Sequence, residues 1–225
     1  MGNPPVGRRL TRTVRTLVLL SIGVAATAQG VHAEQRGSRA QEIDLAIAAM
    51  GLAAGARVAE IGAGDARYSF RFAAVVGPTG HVYVNELGAS AVRRLRDRAE
   101  RESLTNVTVV EGGVDDTNLP DGCCDHMMMR HVYHMMTDPD PMGRSFFRAL
   151  KPGGTLLILE GDPQPSRRNA KGVPANRAGM GIDPQIVIDE LTAAGFVFER
   201  KMPEWTGSDY ALLFRKPLLG GAGPA

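Results

Sequence analysis

Cysteine is nearly absent from this 225-residue chain, and the two that occur, Cys123 and Cys124, are neighbours. A disulfide between adjacent residues closes only a small ring, so it cannot connect distant parts of a fold. The sequence therefore excludes the small secreted domains that depend on disulfides for stability. Two interpretations of the pair remain. The thiols could bind a soft metal, or, as we favour, the two residues are simply small and buried before a strand.

Acidic residues are missing from the first 33 positions, which hold four arginines. Removing those four from the total of 26 basic residues leaves 22 against 24 acidic residues, a net charge of −2. A nearly neutral body lacks the concentrated positive charge with which proteins hold nucleic acid. We therefore expect a small-molecule substrate and no nucleic-acid partner.

The longest apolar run near the N-terminus, residues 17–28, is shorter than the ~20 residues that a membrane-spanning helix needs. Arginines precede this run, and Val31-His32-Ala33 after it offers the small residues that signal peptidase recognises. We predict a signal peptide over residues 1–33, a single domain over residues 34–225 and a periplasmic or secreted protein. The alternative is that the segment is not cleaved, which would leave the protein cytoplasmic or membrane-anchored. For both interpretations we expect no stable membrane span.

Beyond this segment, hydrophobic and charged contents of 44% and 22% are those of an ordinary globular domain. Apolar patterns separated by turn residues alternate between strand and helix, which indicates an α/β fold with a doubly wound, mainly parallel sheet. The predicted strands cover residues 58–61, 81–85, 107–110, 125–129, 155–159, 196–201 and 210–215, the last two as a hairpin. The predicted helices cover residues 40–50, 66–76, 88–102, 139–150 and 184–194.

A glycine turn, Gly62-Ala63-Gly64, separates the first strand from the helix that follows it. Such a turn allows a ligand to approach the backbone where the amides of a helix start point outward. The fingerprint of a nicotinamide dinucleotide site would also require glycine or alanine at position 67, where this chain has Arg67. The turn thus favours a different nucleotide-like ligand.

Two further motifs complete a resemblance to a known family. Glu86 ends the second predicted strand, 22 residues after Gly64, and Leu150-Lys151-Pro152-Gly153-Gly154 leads into the fifth. With the glycine turn, they make residues 40–217 resemble a class I S-adenosylmethionine-dependent methyltransferase. The segments 131–139 and 181–217 also resemble exported bacterial methyltransferase-like proteins. The resemblance implies a Rossmann-like, seven-stranded sheet with an antiparallel last strand, S-adenosylmethionine as cofactor, and methyl transfer to an unidentified acceptor.

The resemblance also implies the cofactor site. Its glycines would let the methionine part of the cofactor pass close to the backbone, while Glu60 and Asp65 would lie near the ammonium group. Glu86 would accept hydrogen bonds from the ribose hydroxyls. The implied cofactor-binding residues are Glu60, Gly62, Ala63, Gly64, Asp65, Glu86, Gly112, Gly113, Val114 and Arg130.

Two positions depart from the family pattern. Gly113 stands where an aspartate usually contacts the adenine amino group. Either Asp115 or a backbone carbonyl replaces that contact, or the cofactor is bound more weakly. Ala66 replaces the usual third glycine, and we expect it to be tolerated inside the start of the helix.

The acceptor is expected over the carboxyl ends of the fourth and fifth strands, where His131 and His134 follow the fourth. Residues three apart share a face on a helical turn, and either histidine could act as a general base near neutral pH. The alternatives are that a histidine packs or caps, or that both hold a metal, for which no third ligand is evident. Methionines make this region apolar and adaptable. The basic loop with Arg167, Arg168 and Lys171 would either steer an anionic substrate or remain solvated surface.

A function from a different class stays open. The chain could be an exported, non-enzymatic binding protein that retains the methyltransferase fold, and weak cofactor binding caused by Gly113 would support that hypothesis. A fold alone does not decide between the two.

Overall fold

The structure, a computed structural model, describes residues 1–2, 39–164, 171–177, 179–203 and 205–218. The chain divides into two compact units, Met1–Gln41 and Glu42–Ala225. Nearly all of the predicted signal peptide lies outside the described residues, so its boundary at residue 33 stays a prediction. In the part of the chain that is described, no helix is both long and apolar enough to cross a membrane. The second unit contains the sheet and all the predicted site residues.

The second unit is built around a seven-stranded sheet with the order β3-β2-β1-β4-β5-β7-β6. Strand β7 runs antiparallel to both of its neighbours, and the other strand pairs are parallel. This arrangement confirms the predicted fold class. The strands are β1 Arg57–Ile61, β2 His81–Leu87, β3 Val107–Gly112, β4 Cys124–Arg130, β5 Leu150–Gly161, β6 Val197–Met202 and β7 Asp209–Arg215.

Helices follow the strands as the sequence predicts. Helix α1 covers residues 39–50 among those described, and a short 3-10 turn, Tyr133–Met135, follows β4. Asp183 caps α5 by accepting a side-chain hydrogen bond from Gln185 N, whereas Asp138, at the same position before α4, makes no such bond. The remaining helices are α2 Arg67–Val76, α3 Ala89–Arg101, α4 Pro139–Ala149 and α5 Pro184–Ala193.

Both faces of the sheet are buried, because successive side chains of a strand point to opposite sides. Met127 and Met129 of β4 pack on the α4–α5 face, and Met128 packs on the α2–α3 face. These three methionines are fully buried and are part of the core. The helices cover the sheet with apolar stripes, which in α3 consist of the buried Val92, Leu95 and Ala99.

Strand β5 begins earlier than predicted. Its first residue, Leu150, pairs with Cys124, and the register with β4 shifts before Thr155 pairs with His126. The Lys-Pro-Gly-Gly run therefore lies inside the strand as an irregularity, with Gly153 at a φ of +80°.

The two cysteines lie at the start of β4, where both are buried and a disulfide joins them. Their burial agrees with the favoured interpretation. As a disulfide they offer no pair of thiols to a soft metal, and the bond links only sequence neighbours.

Candidate functional site

The glycine turn lies at the carboxyl end of β1, between β2 and β4. After β1 the chain forms β2 and β3 on one side of it, and it later forms β4 and β5 on the other side. Ligands of open α/β sheets bind in the crevice at such a switch point. The fold thus brings the glycine turn, the end of β2 and the segment after β4 to one edge of the sheet.

Gly62 and Gly64 serve different purposes, although both have positive φ angles, +67° and +57°. A Cβ atom on Gly62 would lie 2.6 Å from Val132 Cγ2, so the packing of the protein itself requires glycine there. A Cβ atom on Gly64 would meet nothing within 4 Å. The neighbouring Ala63 is anchored by its N–H, which donates to the carbonyl of Asn85 (3.0 Å). The loop is therefore fixed on one side and open over Gly64.

Ala66 differs from the sequence-based expectation. The structure places it before α2 as the N-cap, fully buried, with φ 55° and ψ 30° in the left-handed region. For a residue with a Cβ atom this conformation costs roughly 1–2 kcal/mol. Ala66 thus adopts a conformation that favours glycine, and it does not lie inside the helix.

Glu86 turns back onto the glycine loop. Its Oε2 accepts a hydrogen bond of 2.5 Å from Gly64 N, and its Oε1 accepts one of 2.8 Å from Leu87 N. The carboxylate predicted to hold a ribose therefore borders the open space over Gly64. The two partners are 22 positions apart in the sequence.

Glu60 points into the start of α2. Its Oε2 accepts hydrogen bonds from the backbone N (2.8 Å) and Oγ (2.5 Å) of Ser69. Burial raises the pKa of Glu60 to about 7, and the two bonds from Ser69 oppose that shift. The side chain thus anchors the helix that follows the glycine turn, and its predicted contact with the ammonium group of a cofactor stays a prediction.

Asp65 is exposed and forms an ion pair with Arg67 (2.5 Å between Nε and Oδ2). Its carbonyl accepts a hydrogen bond from Arg98 Nη1 at 2.6 Å. Side-chain pairing at such an exposed position contributes little to stability. Asp65 is therefore free to exchange Arg67 for another cation.

The loop after β3 carries the predicted adenine contacts. A Cβ atom on Gly112 would lie 2.8 Å from Asn85 Oδ1, so a larger residue there would displace the buried amide of Asn85. Gly113 N donates to the carbonyl of Asp116 (2.7 Å), and Val114 is exposed. Asp115 is exposed next to them, and Asp116 is engaged by Arg148 and Ser145. Asp115 is thus the carboxylate of this loop left to face a ligand.

Arg130 and His131, at the end of β4, join a network of charges. Arg130 Nε donates to Glu42 Oε1 at 2.7 Å, and its Nη2 lies 3.9 Å from Asp209 Oδ2. His131 Nε2 lies 2.7 Å from the same Asp209 oxygen. The φ angle of His131 is +52°, a sparsely populated conformation for a residue other than glycine. Arg130, predicted to bind cofactor, is held by carboxylates of the protein in this structure.

His134 lies in the 3-10 turn and faces a different carboxylate. Its Nδ1 is 2.9 Å from Glu160 Oε2 and 3.2 Å from Glu160 Oε1. Because the turn begins at Tyr133 and His131 has a positive φ angle, the two histidines do not share one helical face, and that prediction is wrong. Their role as catalytic residues stays a prediction.

A partly buried ion pair holds the segment between β5 and α5. Both terminal nitrogens of Arg177 donate to the carboxylate of Glu190 at 2.9 Å, and Tyr133 Oη donates to Glu190 Oε2 at 3.0 Å. This network links α5, the loop before it and the turn after β4. Lys171 is exposed, whereas Arg167 and Arg168 lie outside the described residues. Residues 39–164, 171–177, 179–203 and 205–218 contain no group of three His, Cys, Asp or Glu side chains placed to hold a metal ion.

A family model described as a methyltransferase domain matches residues 52–191, more than half of the chain. The chain belongs to the class I S-adenosylmethionine-dependent methyltransferases. The matched range includes the glycine turn, Glu86, the loop after β3 and both histidines. It ends within α5.

Relatives of this methyltransferase agree with that assignment. It is 34% identical over 107 residues to the ubiquinone/menaquinone biosynthesis C-methyltransferase UbiE of Vibrio campbellii, an alignment that covers 47% of this chain and 41% of the relative. The chain thus spans less than half the length of the curated relatives it matches.

Solved structures with the same fold include a SAM-dependent methyltransferase from Aquifex aeolicus. Its TM-score is 0.64 at 20% identity, over 77% of this chain and 88% of that one. The (4+2)-cyclase SpnF gives a TM-score of 0.65 at 19% identity, over 82% of this chain and 83% of its own. At these identities the likeness shows the fold alone.

The residues present fit the family's cofactor. The open space over Gly64 would admit the methionine part, and the Glu86 carboxylate beside it could exchange its bond to Gly64 N for the ribose hydroxyls. The sequence missed the charged partners Glu42, Glu190, Arg177 and Asp209, because no local pattern marks them.

Proposed function

We propose that the chain transfers a methyl group from S-adenosylmethionine to a small, apolar, ring-containing acceptor at the carboxyl ends of β4 and β5. The observation that carries this proposal is the open space over Gly64, bordered by the carboxylate of Glu86. A glycine whose Cβ position is empty, at the switch point of the sheet, is the arrangement that a closely approaching ligand needs.

The residues that would hold the cofactor come from three loops at one edge of the sheet. Gly62, Ala63 and Gly64 offer the backbone of the first loop, and Glu86 offers acceptors to the ribose. Val114, exposed after β3, would cover one side of the adenine ring. When bound, S-adenosylmethionine supplies an electrophilic methyl group on a positively charged sulfur. The protein then has to align the acceptor and exclude water.

Two exposed methionines support an apolar acceptor. Met135, next to His134, is 49% exposed, and Met180, in the segment before α5, is 39% exposed. Unbranched, polarizable methionine side chains adapt to flat apolar ligands. The relatives, named C-methyltransferases of ubiquinone and menaquinone biosynthesis, act in the formation of such ring compounds. We therefore favour transfer to a carbon atom of a quinone-like ring.

The cofactor part of the proposal is tested by calorimetric titration of S-adenosylmethionine into the full-length chain. We expect micromolar binding by the wild type and at least about 100-fold weaker binding by Glu86→Ala, because two hydrogen bonds to a charged group are lost. Glu100→Ala, which removes an exposed carboxylate of α3, is the matched control and should bind normally. Absence of binding at millimolar cofactor, in protein that melts cooperatively, would overturn the proposal.

The acceptor part is tested with a reduced naphthoquinone and methyl-labelled cofactor. We expect a product one methyl group heavier, with the label on a ring carbon in the fragment spectrum. Label on oxygen would keep the methyl transfer but change the acceptor atom. No product from a panel of reduced quinones, with cofactor binding intact, would contradict the quinone-like acceptor.

One observation favours the non-enzymatic alternative. Gly113 lacks the side chain that usually contacts adenine, so the fold could be retained for binding another small molecule. We also propose that residues 1–33 direct export. Cell fractionation with an antibody against the C-terminal part tests this, and a full-length protein that remains in the cytoplasm would contradict it.

A further inference from the structure

We propose that His134, held by Glu160, is the general base that removes a proton from the acceptor, and that His131 is not. The inference rests on the proposed function and narrows it. The acceptor must carry an ionisable hydroxyl group, as a phenol, an enol or a reduced quinone does. Glu160 is then a positioning residue, since it acts through His134.

The contacts of Glu160 carry the first step of the argument. Its side chain is fully buried, and a buried carboxylate requires hydrogen-bond donors. Glu160 Oε1 accepts from the backbone N of His134 at 3.2 Å, and its two oxygens lie 2.9 and 3.2 Å from His134 Nδ1. This arrangement places the proton of a neutral imidazole on Nδ1 and leaves the lone pair on Nε2. His134 is thereby prepared to accept a proton at Nε2.

His131 is held in the opposite way. Asp209 lies against its Nε2, at 2.7 Å, so the nitrogen left over is Nδ1, the one nearer its own backbone. Asp209 also faces Arg130, which in turn pairs with Glu42. His131 therefore belongs to a compensated charge network that fixes the end of β4, and its outer nitrogen is not available to an acceptor.

The surroundings of His134 fit an acceptor site. Glu160 is the second-last residue of β5, and the carbonyl of the last, Gly161, accepts a hydrogen bond from Ile182 N at 3.2 Å. Gln164 N donates to the carbonyl of Met180 at 2.8 Å. The exposed Met180 and Met135 thus belong to the two segments that flank the His134–Glu160 pair. An apolar ring lying between them would bring its hydroxyl group toward the imidazole.

The proton and electrons balance as follows. Nε2 of His134 takes the proton of the acceptor hydroxyl, and the electron pair stays with the acceptor, on oxygen or on a conjugated ring carbon. That pair forms the new bond to the methyl carbon, whose bond to sulfur breaks with both electrons remaining on sulfur. The imidazolium releases its proton to water, and a methylated ring carbon loses its hydrogen to water as well.

The first test needs neither substrate nor cofactor. In the full-length, ¹⁵N-labelled protein, long-range ¹H–¹⁵N spectra identify the neutral tautomer of each of the five histidines. In the wild type, we expect His134 to be protonated on Nδ1 and unprotonated on Nε2. In Glu160→Gln, we expect a mixture of the two tautomers. His134→Gln assigns the signals. An Nε2-protonated His134 in the wild type would overturn the proposal whatever the activity of the enzyme.

The second test uses two acceptors with the full-length enzyme. With a reduced naphthoquinone, we expect kcat to fall about 100-fold in His134→Gln and about 10-fold in Glu160→Gln, with cofactor affinity within twofold of wild type. With an acidic hydroxynaphthoquinone already ionised at the assay pH, His134→Gln should regain a rate within threefold of wild type. A merely structural role predicts equal losses with both acceptors.

The controls separate the two histidines. His81→Gln, at the opposite end of β2, should leave kcat unchanged. A loss in His131→Gln that is rescued by the ionised acceptor, while His134→Gln stays active, would contradict the assignment. Failure of the cofactor titration described above would remove the proposed function, but the tautomer of His134 would still be decided by the spectrum.

Discussion

The cofactor region (residues 60–66, 86–88 and 112–116) and the acceptor region (residues 130–136, 160–162, 179–183 and 209–210) are built differently. In the cofactor region the important groups are backbone amides and glycines, although contacts such as Gly64 N to Glu86 Oε2 still join residues 22 positions apart. In the acceptor region, side chains from distant parts of the chain contact one another. Arg130 and Glu42 are 88 residues apart, and His131 and Asp209 are 78 apart. Residue types that a backbone conformation requires can be recognised in the sequence, whereas the partners in a network of side chains cannot.

Gly62 of the cofactor region packs against Val132 of the acceptor region. Its replacement should therefore have the largest effect on stability. We expect Gly62→Ala to lower the free energy of unfolding by about 4 kcal/mol, from the positive φ and from the clash with Val132. Urea unfolding measures it. The double variant Gly62→Ala/Val132→Ala should recover the part due to the clash.

Gly64→Ala is the matched control for that experiment. Its φ is also positive but its Cβ position is open, so we expect a loss of only about 1 kcal/mol in stability. Cofactor affinity should nevertheless fall strongly, because the new methyl group occupies the space of the ligand. Equal stability losses at the two glycines would contradict the distinction between the packed and the open side of the loop.

Arg177, which is connected through Glu190 to Tyr133 of the acceptor region, tests that region alone. We expect Arg177→Met to lower the free energy of unfolding by about 3 kcal/mol, because it leaves the Glu190 carboxylate without its main partner. The acceptor KM should rise while cofactor affinity stays unchanged. The double variant Arg177→Met/Glu190→Met should restore much of the stability, and a double variant as unstable as the single one would argue against an ionic cause. Arg93→Met, on the exposed face of α3, is the control.

Glu60 makes the stability of the protein depend on pH. Its pKa is about 7 in the folded protein and 4.5 in the reference state, so the fold binds the proton more tightly than the unfolded chain does. Its contribution to stability is therefore complete below pH 4.5 and is lost as the pH rises to about 7. The largest loss is about 3 kcal/mol.

The Glu60→Gln variant isolates that contribution. We expect it to be more stable than wild type at pH 8 by about 2–3 kcal/mol and nearly equal at pH 4.5, measured by urea unfolding at both values. Asp44→Asn, an exposed carboxylate of α1, should leave the pH dependence of wild type intact. A wild type and a Glu60→Gln variant that change in parallel with pH would show that another group is responsible.

Gly113 carries the smallest expected effect. Gly113→Asp should strengthen cofactor binding by up to about tenfold, which is the free energy of one hydrogen bond. Its Cβ atom would lie 3.3 Å from Asp115 Oδ1, so repulsion between the carboxylates opposes the gain. Calorimetric titration of cofactor into Gly113→Asp, Asp115→Asn and the double variant separates the gain of the hydrogen bond from the repulsion between the carboxylates. A loss in Asp115→Asn alone would identify Asp115 as the substitute contact.

The sequence predicted the strands and helices to within a few residues, because hydrophobic periods and glycine or proline turns are local signals. Strand β5 was the exception. Its early start depends on Leu150 pairing with Cys124 across a bulge, which no local pattern reveals. Likewise, the conformation of Ala66 follows from its place at the turn and is not a property of alanine.

The spacing of Gly62, Gly64 and Glu86 predicted the cofactor site. The backbone conformation of the turn requires the glycines, and the expected ligand requires the carboxylate. The sequence identified both histidines as candidate general bases, but it did not identify the carboxylates that contact them. Glu160 and Asp209 come together only because β5 and β7 pair with Glu160 opposite Tyr210 and Gly161 opposite Asp209.

The sequence by itself determined the order of the elements, the alternation of buried strand faces and the glycine turn, since these depend on residues near one another in the chain. Only the tertiary structure decided which carboxylate faces which histidine, which arginine is buried and which glycine lies against Val132. Those contacts join residues tens of positions apart, and the register of the sheet and the packing of the helices select them.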